Sequence, residues 1–172
     1  METNTINTLH NLIDYDISKF ISAEVELKSS LEKWLNQAGS LQLKAVLQKY
    51  LDFVNQHIRG IEAFIDKEQI GTMAVNNPIM LAFIKDTDEC LSYCTNADIK
   101  DACLLACIQG INHYKISTYG TAAAFAGLLE LEMDATIFHE AEINEKHIDD
   151  RLSQLAKYEI NSKAKSTLAF PK

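Results

Sequence analysis

Three apolar stripes in this 172-residue chain are each interrupted once by an ionisable side chain: Glu24, His57 and Glu145. Ile17, Phe20, Glu24, Leu27, Leu31 and Trp34 follow helical spacing along one face. So do Leu47, Tyr50, Val54, His57, Ile61 and Phe64, and then Phe138, Ala141, Glu145, Ile148, Leu152 and Leu155. A carboxylate on a core face must be paired or neutralised. Carboxylates and imidazoles meeting inside a four-helix bundle are the donors of carboxylate-bridged iron or manganese centres. Those centres use Glu-x-x-His on two of the helices, and neither copy is complete. Val54 stands three before His57, and Ile148 stands three after Glu145, flanked by His147 and Asp149. Glu24, His57 and Glu145, with Asp149 as a further candidate, suffice for one iron or manganese ion. The competing expectation needs no cofactor: Lys115 or Arg59 neutralises the acids, and His57 is a hydrogen-bonded core histidine.

Four cysteines form a second constellation, Cys90 with Cys94 and Cys103 with Cys107. Each Cys-x-x-x-Cys pair places both thiols on one helical face. With a chain reversal at Thr95-Asn96, the four sulfurs could converge on a soft metal or form two inter-helix disulfides. They could equally be small packing residues, since free cysteine behaves as a buried hydrophobe. The neighbours Asp86, Asp88 and Glu89 raise thiol pKa values, which disfavours reactive thiolates and a redox-sensing role.

These residues are positioned by long helices. The first ends at Gly39-Ser40, where Gly39 is expected as a left-handed cap, and a second follows at once. Residues 66–77 interrupt the pattern. Asn77 as cap and Pro78 at the first helical position then start a shorter helix. Asn96 caps a long helix over about 97–128, in which Gly110 and Gly120 suggest close helix contacts. The last helix is expected to begin near Asp134. Two hairpins joined by a crossover that carries an extra short helix make an all-α, ferritin-like four-helix bundle. The expected organisation is a mobile arm over 1–12, the bundle over 13–160 and a flexible tail over 161–172.

Composition narrows the possible partners. Two prolines and six glycines are too few for the turns of a β-sandwich. The formal net charge of −8 argues against nucleic acid or an anionic membrane as partner. The longest apolar run, about 122–129, falls far short of the ~20 residues that span a bilayer. Residues 1–30 show no secretory-signal pattern, so a soluble cytoplasmic protein with reduced thiols is expected. No phosphate loop, dinucleotide fingerprint, nucleophile elbow or zinc-protease motif is present. His139 and His147, two turns apart, are expected on a solvated face; Tyr93, Tyr114 and Tyr119 are expected as bundle-edge packing.

Particular segments carry a family likeness. Ser22-Ala-Glu-Val-Glu-Leu27, His57-Ile-Arg-Gly-Ile-Glu62, Asp101-Ala102 through His113-Tyr114 with Tyr119-Gly120-Thr121, and Glu145-Lys146 with Asp149 and Leu152 resemble the YciE/YciF ferritin-like stress-protein family. The likeness spans about 14–156. It implies a ferritin-like fold, frequent dimerisation and a link to bacterial stress responses without an established activity. Glu24, His57 and Glu145 fall on that family's acid and histidine positions. Phe53 stands where the family usually has Glu, Asn112 replaces the Glu beside His113-Tyr114, and Lys115 replaces the Glu just after. Alanines are usual at the positions of Cys103 and Cys107. The reading of residues and resemblance together is a non-enzymatic, self-associating bundle with a degenerate di-metal site. The alternative is a metal-binding protein, using Glu24, His57 and Glu145 or the four cysteines.

Overall fold

The computed structural model describes residues 5–70 and 75–166. They form α1 (Leu9–Gln37), α2 (Leu41–Glu68), α3 (Pro78–Tyr93), α4 (Ala97–Leu128) and α5 (Glu132–Leu155). A π-helical turn (Ala156–Ile160) and α6 (Asn161–Ser166) follow, and no strand occurs among the described residues. Helix α1 packs on α2 and α4 on α5, and the two hairpins meet through α2–α5 and α1–α4. Crossover helix α3 lies against α1 and α4. This is the one-crossover connectivity anticipated from the apolar stripes.

Side-chain caps start the helices where local sequence demands. Thr8 accepts from the Asn11 amide, Ser40 from Leu43, Asn77 from Met80 and Asn96 from Asp98 and Ile99. The Thr8 cap begins α1 at Leu9, so residues 9–12 of the expected arm are helical; residues 1–4 lie outside the described residues. Helix α5 starts at Glu132, two residues before Asp134. The expected tail is helical through Ser166, with Ala164 buried; residues 167–172 lie outside the described residues.

Gly39 is not left-handed, since no described glycine has positive φ. Its role is to bring backbone amides onto Asp101 of α4. The Gly39 and Ser40 N–H groups donate to Asp101 Oδ1 and Oδ2, each at 2.7 Å. A Cβ on Gly39 would stand 3.3 Å from that carboxylate. The tightest glycine contact is instead at Gly60, where a Cβ would meet Ile137 of α5 at 3.0 Å. Gly120 lies close to the Glu142 side chain, whereas Gly110 has only an ordinary contact with Phe83.

The crossover is tied down by polar groups. Trp34 Nε1 donates to Asp88 at 2.9 Å, and Lys33 pairs with the same carboxylate at 2.7 Å. The buried Asn77 side chain donates to the Lys19 carbonyl at 3.2 Å and to Tyr114 Oη at 3.0 Å.

The bundle interior holds two apolar clusters. One includes Leu27, Leu31, Trp34, Val54, Ile111 and Ile148; the other includes Ile17, Phe20, Ile61, Phe64, Phe138 and Ala141. On every bundle helix the boundary between them falls at a polar residue: Glu24, His57, Lys115 and Glu145. A polar layer thus crosses the middle of the core.

Asp101 holds the α1–α2 turn onto α4 through two charge-assisted bonds, while 4% exposed. Asp101→Ala is therefore expected to cost about 2–4 kcal/mol in urea melts. A loss below about 1 kcal/mol would mean that water satisfies the turn equally well.

Candidate functional site

The polar layer is built around Lys115. Its position between Ile111 and Tyr119 on the inner face of α4 directs the side chain into the bundle, where it is 2% exposed. Lys115 Nζ lies 3.0 Å from Glu24 Oε2 and 2.6 Å from Glu145 Oε1. The remaining carboxylate oxygens are also occupied. Tyr119 Oη donates to Glu24 Oε1 in a short hydrogen bond. Tyr50 Oη donates to Glu145 Oε2 at 2.7 Å, and Asn112 Nδ2 donates to the same oxygen at 2.7 Å. Asn112 Nδ2 also reaches the Glu145 backbone carbonyl at 2.9 Å. The ammonium lies 4.8 Å from the Tyr50 ring centroid, within cation–π range.

His57 completes the layer. The Asn144 amide faces Nε2 at 3.4 Å. With that amide donating, Nδ1 carries the proton, and it stands 3.5 Å from Glu145 Oε1 and 3.8 Å from Glu24 Oε1. Phe53 stacks against the imidazole with ring centroids 6.4 Å apart, and Lys49 covers the Phe53 ring. Where the resemblance implies a carboxylate, an apolar ring therefore shields the histidine.

The electrostatics follow from this packing. Burial alone would raise the Glu24 pKa, but the Lys115 charge, the His57 imidazole and the Tyr119 hydroxyl bring it down to about 2. For Lys115, burial favours the neutral amine; the charges of Glu145 and Glu24 outweigh it and raise the pKa. Burial and the adjacent carboxylates push both tyrosines well above the usual phenol value, so both remain hydrogen-bond donors.

Glu24, His57 and Glu145 offer donor atoms within 4.8 Å of one another, the spacing of a metal triad. The ammonium of Lys115 already contacts both carboxylates, and the other carboxylate oxygens receive tyrosine hydroxyls. A divalent ion would have to displace the lysine and would then face a bound cation at close range. The residues present do not fit an iron or manganese centre. The cavity beside His57, Tyr119, Phe138 and Asn144 holds about 100 Å³, against roughly 300–1,000 Å³ for small-molecule pockets.

Other candidates lie elsewhere. Asp149 turns away from the layer and pairs with exposed His113 at 3.0 Å. Arg59, His139 and His147 are exposed. Tyr93 is exposed and Tyr114 binds Asn77 at the crossover, but Tyr119 is not edge packing: it is buried and bonds Glu24. Its signal was its position one helical turn after Lys115; Tyr50 stands two turns before His57. The sulfurs of Cys90 and Cys103 are in contact across the α3–α4 interface, while Cys94 and Cys107 are free thiols.

Fold and site together define an all-α bundle whose core is crossed by a lysine-centred charge network. The chain belongs to the family described as "Domain of unknown function (DUF892)", whose model matches residues 8–165. It is 25% identical to Protein YciF of Escherichia coli (strain K12) over 162 residues, covering 94% of this chain and 98% of that protein. The crystal structure of the E. coli stress protein YciF superposes with a TM-score of 0.85, over 91% of this chain and 99% of that one, at 25% identity. YcfI from Rhodopseudomonas palustris shares the fold, with a TM-score of 0.84 and 24% identity over 89% of this chain and 98% of that one.

The depressed Glu24 pKa fixes the sign of one pH effect. Its stabilisation is complete above the ordinary value of 4.5 and disappears as pH falls towards about 2. The stability difference between wild type and Glu24→Gln, read from urea midpoints, should be largest above pH 4.5. It should shrink by on the order of 3 kcal/mol as the acid limit is approached. A difference independent of pH would contradict a charged Glu24.

Proposed function

We propose that this protein is a non-enzymatic, stress-related ferritin-like bundle in which a lysine ammonium stands in for a core metal. The observation that carries the reading is Lys115 Nζ in simultaneous contact with Glu24 and Glu145, at 3.0 and 2.6 Å. The stress link draws on the name of E. coli YciF and on the shared family. The small volume of the cavity beside His57, about 100 Å³, supports a role without turnover there. The partner in this reading is a second copy of the chain, as the family resemblance implies. Sedimentation at micromolar concentration should give a dimer; a monomer at every concentration would remove that part.

The competing reading is one iron or manganese ion on Glu24, His57 and Glu145, favoured by the proximity of their donor atoms. Protein purified without chelators and then incubated anaerobically with Fe²⁺ or Mn²⁺ decides between them. Elemental analysis should find neither metal at stoichiometric amounts; one equivalent of either would overturn the lysine-centred reading.

Lys115→Ala provides a second arm. It leaves two buried carboxylates without their cation and should destabilise by about 3–5 kcal/mol. Mn²⁺ should then raise the melting temperature of this variant and leave wild type unchanged, since a ligand of the folded state stabilises by mass action. A loss below about 1 kcal/mol, or no Mn²⁺ response in folded variant protein, would contradict the account.

A further inference from the structure

A second cluster of ligating atoms lies outside the core, where α3 turns into α4. Cys90 sits in the last turns of α3 and Cys94 is its C-cap; Cys103 and Cys107 lie in the first turns of α4. The Asn96 cap reverses the chain at once, so the two Cys-x-x-x-Cys faces confront each other across the α3–α4 contact. The sulfurs of Cys90, Cys94 and Cys103 all lie within 4.8 Å of one another. Two thiolates on one tetrahedral zinc ion, each at about 2.3 Å, stand roughly 3.8 Å apart. Common ligation therefore needs only a small adjustment of rotamers.

The surroundings choose between the chemistries that such a cluster could serve. Half-buried thiols are poor nucleophiles, because burial opposes the thiolate. A bound cation overrides that penalty, because it deprotonates its thiol ligands outright. Thiolate donors select soft or borderline ions, zinc and copper(I), over the iron and manganese of carboxylate sites.

We propose that the reduced Cys90, Cys94 and Cys103 form a thiolate site for a soft cation of the zinc or copper(I) class. A Cys90–Cys103 disulfide, formed from the two sulfurs already in contact, is the alternative, metal-excluding state. Opening it with a phosphine moves two electrons from phosphorus to sulfur. Two thiols and the phosphine oxide result, with the oxide's oxygen drawn from water. Cation binding then releases one proton from each thiol that ligates.

The test is a Co²⁺ titration of the full-length, phosphine-reduced protein under anaerobic conditions, followed by Zn²⁺ competition. Thiolate-to-cobalt charge-transfer absorption and tetrahedral visible bands should saturate at one equivalent and vanish as Zn²⁺ displaces cobalt. Cys94→Ser and Cys103→Ser, checked for native helicity by circular dichroism, should each weaken binding by roughly a hundredfold or more. Unreduced protein should show no such band. A reduced wild type without charge-transfer absorption would overturn the proposal, as would affinity unchanged in both serine variants. Cobalt bound without thiolate bands would implicate the carboxylates, so failure here and failure of the lysine-centred reading are distinguishable.

Discussion

The constraint on which the bundle depends is that one ammonium, removed from water, must meet two carboxylates on different helices at once. Lys115 comes from α4, Glu24 from α1 and Glu145 from α5, while His57 from α2 closes the remaining side. Every bundle helix is therefore held in register at this layer. A shift by one turn on any of them would leave a buried charge unmatched, at a cost of several kcal/mol. The apolar clusters above and below can tolerate volume-conserving exchanges far better than the layer can tolerate a missing partner.

The layer is more extensively bonded than an isolated buried pair, although His57 Nδ1 and Asn112 Oδ1 lack a hydrogen-bond partner. Tyr50, Tyr119 and Asn112 donate to the carboxylate oxygens that the lysine leaves open. Unmatched polar atoms are the main penalty of buried networks, so these donors decide whether the arrangement is tolerable. A buried ion pair is weak evidence for high stability, since well-packed apolar residues of similar volume can do as well. Its consequence here is specificity: the helices have one arrangement that satisfies all charges. The same geometry explains why the acid–histidine triad is unsuited to a divalent ion despite suitable donor spacing. The position between the carboxylates is already filled by a cation supplied by the chain itself.

Much of this was readable in the residues. Glu24, His57 and Glu145 announced themselves as single polar interruptions of strict apolar stripes, and Lys115 as a cation replacing a carboxylate. Caps at Asn77 and Asn96 marked helix starts because the bond from side chain to backbone is local. What escaped the sequence was long-range. Gly39 looked like a left-handed cap, but its backbone amides serve Asp101, over sixty positions away. Tyr119 looked like packing, because a phenol's partner cannot be inferred from its own helix. Asp149 stands one helical turn after Glu145, yet its carboxylate pairs with His113 of α4 instead of joining the layer.

The most direct measurement of the central claim is the protonation and environment of the Lys115 side chain, by NMR of protein labelled with ¹⁵N at lysine. Buried between two carboxylates, its ammonium protons should exchange slowly and give a resolved signal well above neutral pH, where exposed lysines have lost theirs. That signal should be absent from Lys115→Arg. If instead every lysine exchanges and titrates as an exposed side chain does, the ammonium is not enclosed between Glu24 and Glu145, and the account is wrong.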